Sequence, residues 1–351
     1  MFSSSVRSAL VALVASAVVV SAAPGLSLTV SGPEAVDGVD QLKVVATITN
    51  TGDESLKLLN DPLTPLNKLP TDTFAIAHED TGTSPSFSGV KAKYVRDTAI
   101  KVGDASAFTV LAPGQSVALT HDLSAAYNFT SSGAGAYTVE ANNLFHYVDP
   151  ATNKAVPIYA NAEVHSAKVA GQLAVARNTL TKRATFTGCS SSQQSGLNAA
   201  APAAQTYAAN ALSYLQAHTS STSRYTTWFG TYTSSRHSTV LTHYTNLNSN
   251  TYSSYHFDCT CTDSGTYAYV YPDDFGHVYL CGAFWQAPTT GTDSKGGTLI
   301  HESSHFTANA GTEDYVYGQS AAKSLASSNP TEAINNADNH EYFAENNPSL
   351  S

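Results

Sequence analysis

The chain has 351 residues, a formal net charge of −10 and only 13% charged residues. This length suits two soluble domains, and the composition excludes a disordered chain or one that binds nucleic acid. The acidity lies in the second half: residues 184–351 carry 4 basic and 12 acidic side chains, against 12 basic and 15 acidic ones in residues 24–183. We therefore expect the second half to attract cationic partners.

The N-terminus has the pattern of a secretory signal peptide over residues 1–23. Arg7 precedes an apolar run over residues 9–20, and small residues follow it. The run is shorter than the ~20 residues that a membrane-spanning helix needs, which disfavours a membrane anchor. The sequence therefore predicts a secreted, extracellular protein that has no membrane segment.

Residues 24–183 consist mainly of short alternating runs separated by turn-rich pieces. Residues 42–49 and 137–141 alternate apolar and polar side chains, as strands with one buried face do. The spacing of such runs predicts an all-β, sandwich-like domain.

A dibasic pair, Lys182-Arg183, ends this region. Processing proteases of the secretory pathway cut after such pairs, so we predict that residues 24–183 are a propeptide and that the protein is made as a zymogen. The mature chain would begin at Ala184 or Thr185. The alternative is an uncut surface linker.

The sequence of the second half predicts one α+β domain over residues 184–351. Alanine-rich stretches favour helices, with a break or a helix start at Pro202. The predicted helices and strands are, in order, residues 198–218, 225–247, 267–271 and 277–284.

All the cysteines follow the dibasic pair: Cys189, Cys259, Cys261 and Cys281. An even number in an extracellular protein suggests two disulfides. A ring joining Cys259 to Cys261 would be strained, so Cys189 should pair with one of these two thiols.

An H-E-x-x-H motif, His301-Glu302-Ser303-Ser304-His305, carries the clearest chemistry. On a helix, residues four apart share a face, so His301 and His305 can bind one Zn²⁺ while Glu302 acts as general base on the zinc-activated water. Asp314 is a candidate third ligand, which leaves one position open for catalysis. Tyr317 would place a phenol near the developing oxyanion.

These motifs resemble the aspzincin metalloendopeptidases, also called the deuterolysin family. HESSH followed by GTEDYVYG carries the resemblance, and segments such as SRYTTWFG, FDCTCT and VYLCGAFW extend it to the fungal peptidyl-Lys metalloendopeptidases across the C-terminal half. The resemblance implies a zincin-like fold, one zinc per chain held by His301, His305 and Asp314, and the roles given above for Glu302 and Tyr317. It also implies the disulfides Cys189–Cys259 and Cys261–Cys281.

The resemblance further implies cleavage on the amino side of lysine (Xaa-Lys), with Asp338 and Glu341 forming the S1' lysine pocket. Three residues apart on a helix, both carboxylates could receive one ammonium. Spacing alone equally suits a solvated helix face. For His340, and for His237, His243, His256 and His277, packing roles are favoured over metal binding.

The sequence therefore predicts a secreted, monomeric zinc endopeptidase with protein substrates that have lysine at P1'. We expect the propeptide, which contains no cysteine, to assist folding and to cover the cleft without a thiolate ligand. Two alternatives remain open. One is a deuterolysin-like protease of broader specificity, and the other is an extracellular binding protein whose zinc is structural.

Overall fold

The computed structural model describes residues 24–176 and 185–351. The predicted signal peptide and the Lys182-Arg183 pair lie outside the described residues. No helix in the described ranges combines the length and the apolar character needed to cross a membrane.

The N-terminal region is rich in strands, as predicted, and its described residues contain one short α-helix, α1 (Arg96–Val102), besides short 3-10 turns. Its strands are β1 (Leu26–Ser31), β2 (Ala35–Asp37), β3 (Lys43–Asn50), β4 (Leu56–Leu59), β5 (Phe74–His78), β6 (Ser86–Phe87), β7 (Lys91–Tyr94), β8 (Phe108–Leu111), β9 (Ser116–Asp122), β10 (Tyr127–Asn128), β11 (Gly135–Ala141), β12 (Leu144–Val148), β13 (Ala155–Glu163) and β14 (His165–Ala170).

Two sheets of this region enclose one hydrophobic core. The larger sheet has the order β8-β4-β12-β13-β1-β3-β9, and the smaller has the order β2-β14-β11-β5. Leu28, Ile48 and Phe145 from the larger sheet pack with Val139 and Val169 from the smaller one. Alternating burial along the strands, such as that of β3, places the apolar side chains in this core.

The C-terminal region mixes helices and strands. Its helices are α2 (Ser191–Ala217), α3 (Ser223–Phe229), α4 (Ser234–Ser249), α5 (Gly282–Gln286), α6 (Lys295–His305), α7 (Gln319–Ser328), α8 (Pro330–Ala333) and α9 (Ala337–Glu345). Its strands are β15 (Phe186–Thr187), β16 (His256–Asp258), β17 (Thr266–Val270) and β18 (His277–Leu280). Disulfides join Cys189 to Cys259 and Cys261 to Cys281, the pairs that the resemblance implied.

The break predicted at Pro202 was wrong, because Pro202 lies inside α2. The helix begins earlier, at a capping box in which Ser190 and Gln193 satisfy each other's backbone N–H groups. The proline ring faces solvent, while alanines such as Ala201 and Ala204 are buried against the core. Burial of this alanine face outweighs the hydrogen bond that proline removes.

Two other predicted elements were too long. The helix predicted over residues 225–247 is divided into α3 and α4 at Gly230, which has φ +73 and packs its backbone against the Ala326 carbonyl. The strand predicted over residues 277–284 ends at Leu280, where Cys281 enters its disulfide and α5 begins.

One N-terminal strand leaves its own sandwich. Strand β7 is the edge strand of the C-terminal sheet, whose order is β15-β16-β18-β17-β7. It runs antiparallel to β17, with Ala92 opposite Tyr269 and Lys93 opposite Ala268. The two halves of the chain therefore share a sheet, which the alternating pattern of the sequence did not predict.

Candidate active site

Helix α6 carries the H-E-x-x-H residues in a fully packed environment. The Glu345 carboxylate accepts hydrogen bonds from the N–H and the hydroxyl of Ser294, at 2.9 and 2.8 Å. The Ser294 hydroxyl accepts one from the Gly297 N–H at 2.9 Å and so caps the helix. All residues from Gly296 to His305 are buried, so the helix holds its functional side chains rigidly.

Three ligand atoms converge beside α6. The Nε2 atoms of His301 and His305 lie 3.2 and 3.3 Å from Oδ1 of Asp314. All three atoms are buried and have no hydrogen-bond partner among the described residues. Leaving buried polar atoms unpaired costs free energy, and a shared cation would satisfy all three.

Contacts behind the imidazoles fix their orientation. Nδ1 of His305 lies 2.8 Å from the Thr312 carbonyl oxygen, which leaves Nε2 free to bind a metal. Nδ1 of His301 lies 2.8 Å from Oδ1 of Asp338 and 3.5 Å from Oε2 of Glu341. Two imidazoles and one carboxylate, each oriented from behind, fit a catalytic metal site with an open position.

Glu302 and Asp314, the two carboxylates nearest these ligand atoms, have pKa values that are shifted in opposite directions. Burial raises the pKa of Glu302 to about 8. Burial alone would also raise the pKa of Asp314, but His305 and His301 hold it well below its usual range. Asp314 therefore carries the negative charge of a ligand, whereas Glu302 is a stronger base than an exposed carboxylate.

Glu302 and Tyr317 face the backbone of β7. The Lys93 N–H donates a hydrogen bond to Oε1 of Glu302 at 3.1 Å. The Tyr317 hydroxyl donates one to the Ala92 carbonyl oxygen at 2.8 Å. Burial raises the pKa of Tyr317 well above its usual value, so the phenol remains a hydrogen-bond donor.

Helix α9 brings Asp338 and Glu341 to the same side, and both are fully buried. An ammonium group reaches one of them directly, since Nζ of Lys93 forms an ion pair with Oε2 of Glu341. Asp338 instead contacts His301, as described above, and accepts a hydrogen bond from the Gly318 N–H at 2.5 Å. The solvated helix face that spacing alone allowed is therefore wrong.

Asp293 is a site residue that the sequence did not reveal. Its Oδ1 lies 3.4 Å from Nζ of Lys93 and accepts a hydrogen bond from the Tyr342 hydroxyl at 2.6 Å. Burial alone would lower the pKa of Lys93, but Glu341, Asp338 and Asp293 raise it well above its usual value. Neither the position of Asp293 before α6 nor that of Lys93 belongs to a recognisable motif, and only the fold brings them together.

The remaining histidines have packing contacts. His340 is fully buried beside His243, with Nε2 3.0 Å from Nδ1 of His243, and burial lowers its pKa to about 3. His237 contacts the Leu215 carbonyl oxygen through Nε2 at 3.2 Å.

One group of metal-ligand type was not expected from sequence spacing. Adjacent strands bring His256 and His277 together with Asp258. The His256 ring contacts the Thr187 hydroxyl at 3.1 Å and the His277 ring contacts Asp274 at 3.0 Å. The pairing of β16 with β18 places His256 opposite His277. Their separation along the chain gives no sign of this proximity.

Known proteins match the chain along its whole length. The aspzincin family model, described as "Lysine-specific metallo-endopeptidase", matches residues 214–345. A peptidyl-Lys metalloendopeptidase of Grifola frondosa is 67% identical over 98% of this chain and 99% of its own length. One of Armillaria mellea is 60% identical over 100% of both chains. A solved zinc peptidase from Grifola frondosa is 72% identical over 46% of this chain and 100% of its own, with a TM-score of 0.46.

The family match and the geometry of the structure point to the same segments of the chain. The family model spans α6, Asp314 and α9, the segments that carry the converging ligand atoms. The alternative of a binding protein with a structural metal is contradicted by relatives named as metalloendopeptidases that are 67 and 60% identical along essentially the whole chain. Because at least 60% identity extends along essentially the whole chain, this protein belongs to the aspzincin family and is a zinc metalloendopeptidase that acts on peptide substrates.

Proposed function

We propose that this protein is an endopeptidase with one catalytic zinc that hydrolyses the peptide bond on the amino side of lysine. The observation that carries this proposal is a lysine side chain, that of Lys93, whose ammonium group pairs with Glu341 in a fully buried pocket beside the metal site. The family description and the names of the relatives from Grifola frondosa and Armillaria mellea support the same specificity.

In this proposal, His301, His305 and Asp314 hold the zinc. When bound, zinc supplies a Lewis acid that polarises the substrate carbonyl and activates water. Glu302 takes the proton of the attacking water and delivers a proton to the leaving amine, since it already contacts a backbone N–H at that position. Tyr317 donates its hydrogen bond to the carbonyl oxygen as negative charge develops there.

The lysine pocket combines charge with aromatic walls. Glu341 and Asp293 contact the ammonium group directly, while Tyr267 and Tyr342 have ring centroids 5.0 and 5.5 Å from Nζ. A buried ammonium requires such pairing, and cation–π contacts add to it. We propose that Asp338 contributes its charge to this pocket but acts mainly by orienting His301.

We further propose that the protein is made as a zymogen and secreted, with a propeptide over residues 24–183 and a protease domain over residues 184–351. Two disulfides in the C-terminal region suit an extracellular protein. The presence of β7 in the cleft supports a covering role for the N-terminal region. N-terminal sequencing of the processed, secreted protein would test the boundary between the propeptide and the protease domain, and a first residue other than Ala184 or Thr185 would contradict it.

Cleavage of a denatured test protein measures the specificity. We expect the chain, cut after Arg183, to produce peptides that begin with lysine, and Glu341→Gln or Asp293→Asn to erode this preference more than total hydrolysis. The physical reason is that each amide removes a charge paired with a buried ammonium. Mass spectrometry of the digest gives the profile. A spread of residues at the new N-termini in the wild-type digest would favour the broader, deuterolysin-like protease.

A further inference from the structure

Strand β7 lies in the cleft as an extended peptide would. It adds to the edge of β17 in antiparallel register, with Lys91 opposite Val270 and Ala92 opposite Tyr269. Addition of an extended segment to a free sheet edge is a common mode of peptide recognition, in which backbone pairing fixes the register and pockets select side chains. The register therefore decides which peptide bond of β7 faces the catalytic groups.

That bond is the one between Ala92 and Lys93. On its carbonyl side, the Ala92 oxygen accepts the hydrogen bond of Tyr317 at 2.8 Å. On its amine side, the Lys93 N–H donates to Glu302 at 3.1 Å. The Ala92 N–H donates to Oδ2 of Asp314, also at 3.1 Å. The bond thus lies among the base, the phenol and the third ligand.

The side chain that follows the bond agrees with this register. Lys93 is fully buried, and its ammonium group pairs with Glu341 and Asp293. Lys91, two residues earlier, points elsewhere and pairs with Glu313, which is partly exposed. Only one of the two lysines of β7 therefore occupies the acidic pocket next to the metal ligands.

We infer that the Ala92–Lys93 bond is a substrate of this enzyme's own active site and is cut within the chain once zinc is bound. This inference rests on the proposed specificity for lysine. One water is added across the bond: its oxygen joins the Ala92 carbonyl carbon, the C–N bond breaks, and Glu302 passes a proton from the water to the Lys93 nitrogen. The products are a new carboxylate at Ala92 and a new amine at Lys93.

The surroundings of β7 keep the bond in place before it is cut. The Val90 N–H donates to the Pro70 carbonyl oxygen at 3.0 Å on one side, and Arg96 pairs with Asp61 at 2.8 Å on the other. Both anchors belong to the N-terminal region. The same contacts make β7 block the cleft, so a cut at Ala92–Lys93 would be a step towards opening it that does not depend on cleavage at Arg183.

The test uses the full-length protein, prepared in chelator and then supplied with zinc. We expect a fragment pair that ends at Ala92 and begins at Lys93, at a rate that does not depend on protein concentration, as a cut within one chain requires. Intact mass measurement and N-terminal sequencing identify the pair. Glu302→Gln should leave the chain whole, and Lys93→Gln should lose this pair.

Two controls keep the result independent of folding. Lys91→Ala retains Lys93 and should still be cut at Ala92–Lys93, whereas a cut at Val90–Lys91 in the wild type would contradict the register. In the Glu302→Gln protein, acetylation of amines should spare buried Lys93 while modifying exposed Lys101. Equal labelling of the two lysines would overturn the docking of β7 without reference to activity.

The proposed lysine specificity is measured separately from self-cleavage, with protein that has been cut after Arg183. If that preparation cuts a denatured test protein before lysine but Ala92–Lys93 stays intact in the zinc-loaded full-length chain, self-cleavage is overturned and the specificity stands. If the test protein is not cut before lysine, the specificity itself fails, and the inference fails with it.

Discussion

Four of the buried carboxylates near α6 differ in their neighbours, and we propose a different role for each. Asp314 faces the Nε2 atoms of His305 and His301, and interactions with these imidazoles keep its pKa low. Glu302 accepts a hydrogen bond from the Lys93 backbone N–H, and burial raises its pKa to about 8. Asp338 contacts the back of His301, whereas Glu341 pairs with an ammonium group. At the residue scale, the ligand, the base, the orienting group and the pocket wall that we propose differ only in what each carboxylate contacts.

Asp338→Asn separates orientation from recognition. Since Asp338 contacts Nδ1 of His301, we expect the amide to weaken zinc binding by about 10–100-fold, as the loss of partners behind metal ligands does. Competition with a chelator measures the affinity. Once zinc is saturating, the lysine preference should remain, whereas Glu341→Gln should lose preference and keep most of its zinc affinity. If Asp338→Asn instead lost lysine preference and kept its zinc affinity, Asp338 would act mainly as a pocket residue.

At the element scale, the close approach of α6 and α9 decides where the base and the pocket lie. Gly297, in the first turn of α6, has no room for a side chain, because a Cβ atom there would overlap the Glu345 carboxylate and crowd that of Glu341. The same approach lets Glu345 accept hydrogen bonds from Ser294 at the helix start. The lack of a side chain at Gly297 therefore permits the close approach of α6 and α9.

Gly297→Ala tests this packing. We expect the free energy of unfolding to fall by about 1–3 kcal/mol, because the added methyl group overpacks a filled site. The matched control is Gly196→Ala in α2, where a Cβ atom would meet nothing within 4 Å. Alanine should stabilise that position by about 0.5–1 kcal/mol. Urea unfolding measures the change in the free energy of unfolding for both variants. Equal changes would contradict the close approach of α6 and α9 at Gly297.

At the scale of the whole molecule, the two halves are joined at the cleft as well as by their linking segment. Strand β7 extends the C-terminal sheet, and its backbone contacts Glu302 and Tyr317. Within the C-terminal half, the disulfides tie β15 and the start of α2 to the end of β16, and the following loop to α5. The two disulfides thus cross-link segments of the C-terminal half that are 70 and 20 residues apart in the sequence.

The two disulfides should differ in their contribution to stability. Cys189–Cys259 spans 70 residues and Cys261–Cys281 spans 20. Loop-closure entropy predicts losses of about 4 and about 3 kcal/mol when each pair is replaced by alanine. Each double variant serves as the control for the other in urea unfolding under oxidising conditions. A larger loss for the shorter loop would show that native contacts, and not chain entropy, dominate.

The sequence by itself determined the features that depend on short spacing. Two histidines four residues apart lie on one helix face in any α-helix, so His301 and His305 could be assigned before the fold was known. The nearby Asp314 and the alternating strands of the N-terminal region were accessible for the same reason, since both patterns are local. Pro202 shows the limit of local patterns, because the packing of an alanine face overrides the tendency of proline to break a helix.

Only the tertiary structure decided what fills the cleft and which carboxylates line it. Lys93 lies 200 residues before Asp293 and 248 before Glu341, yet its ammonium group contacts both. No local pattern marks such contacts, because they arise when one strand completes the edge of a distant sheet. The acidic charge of the second half predicted a cationic partner. The fold shows that a lysine of this same chain already occupies the acidic pocket.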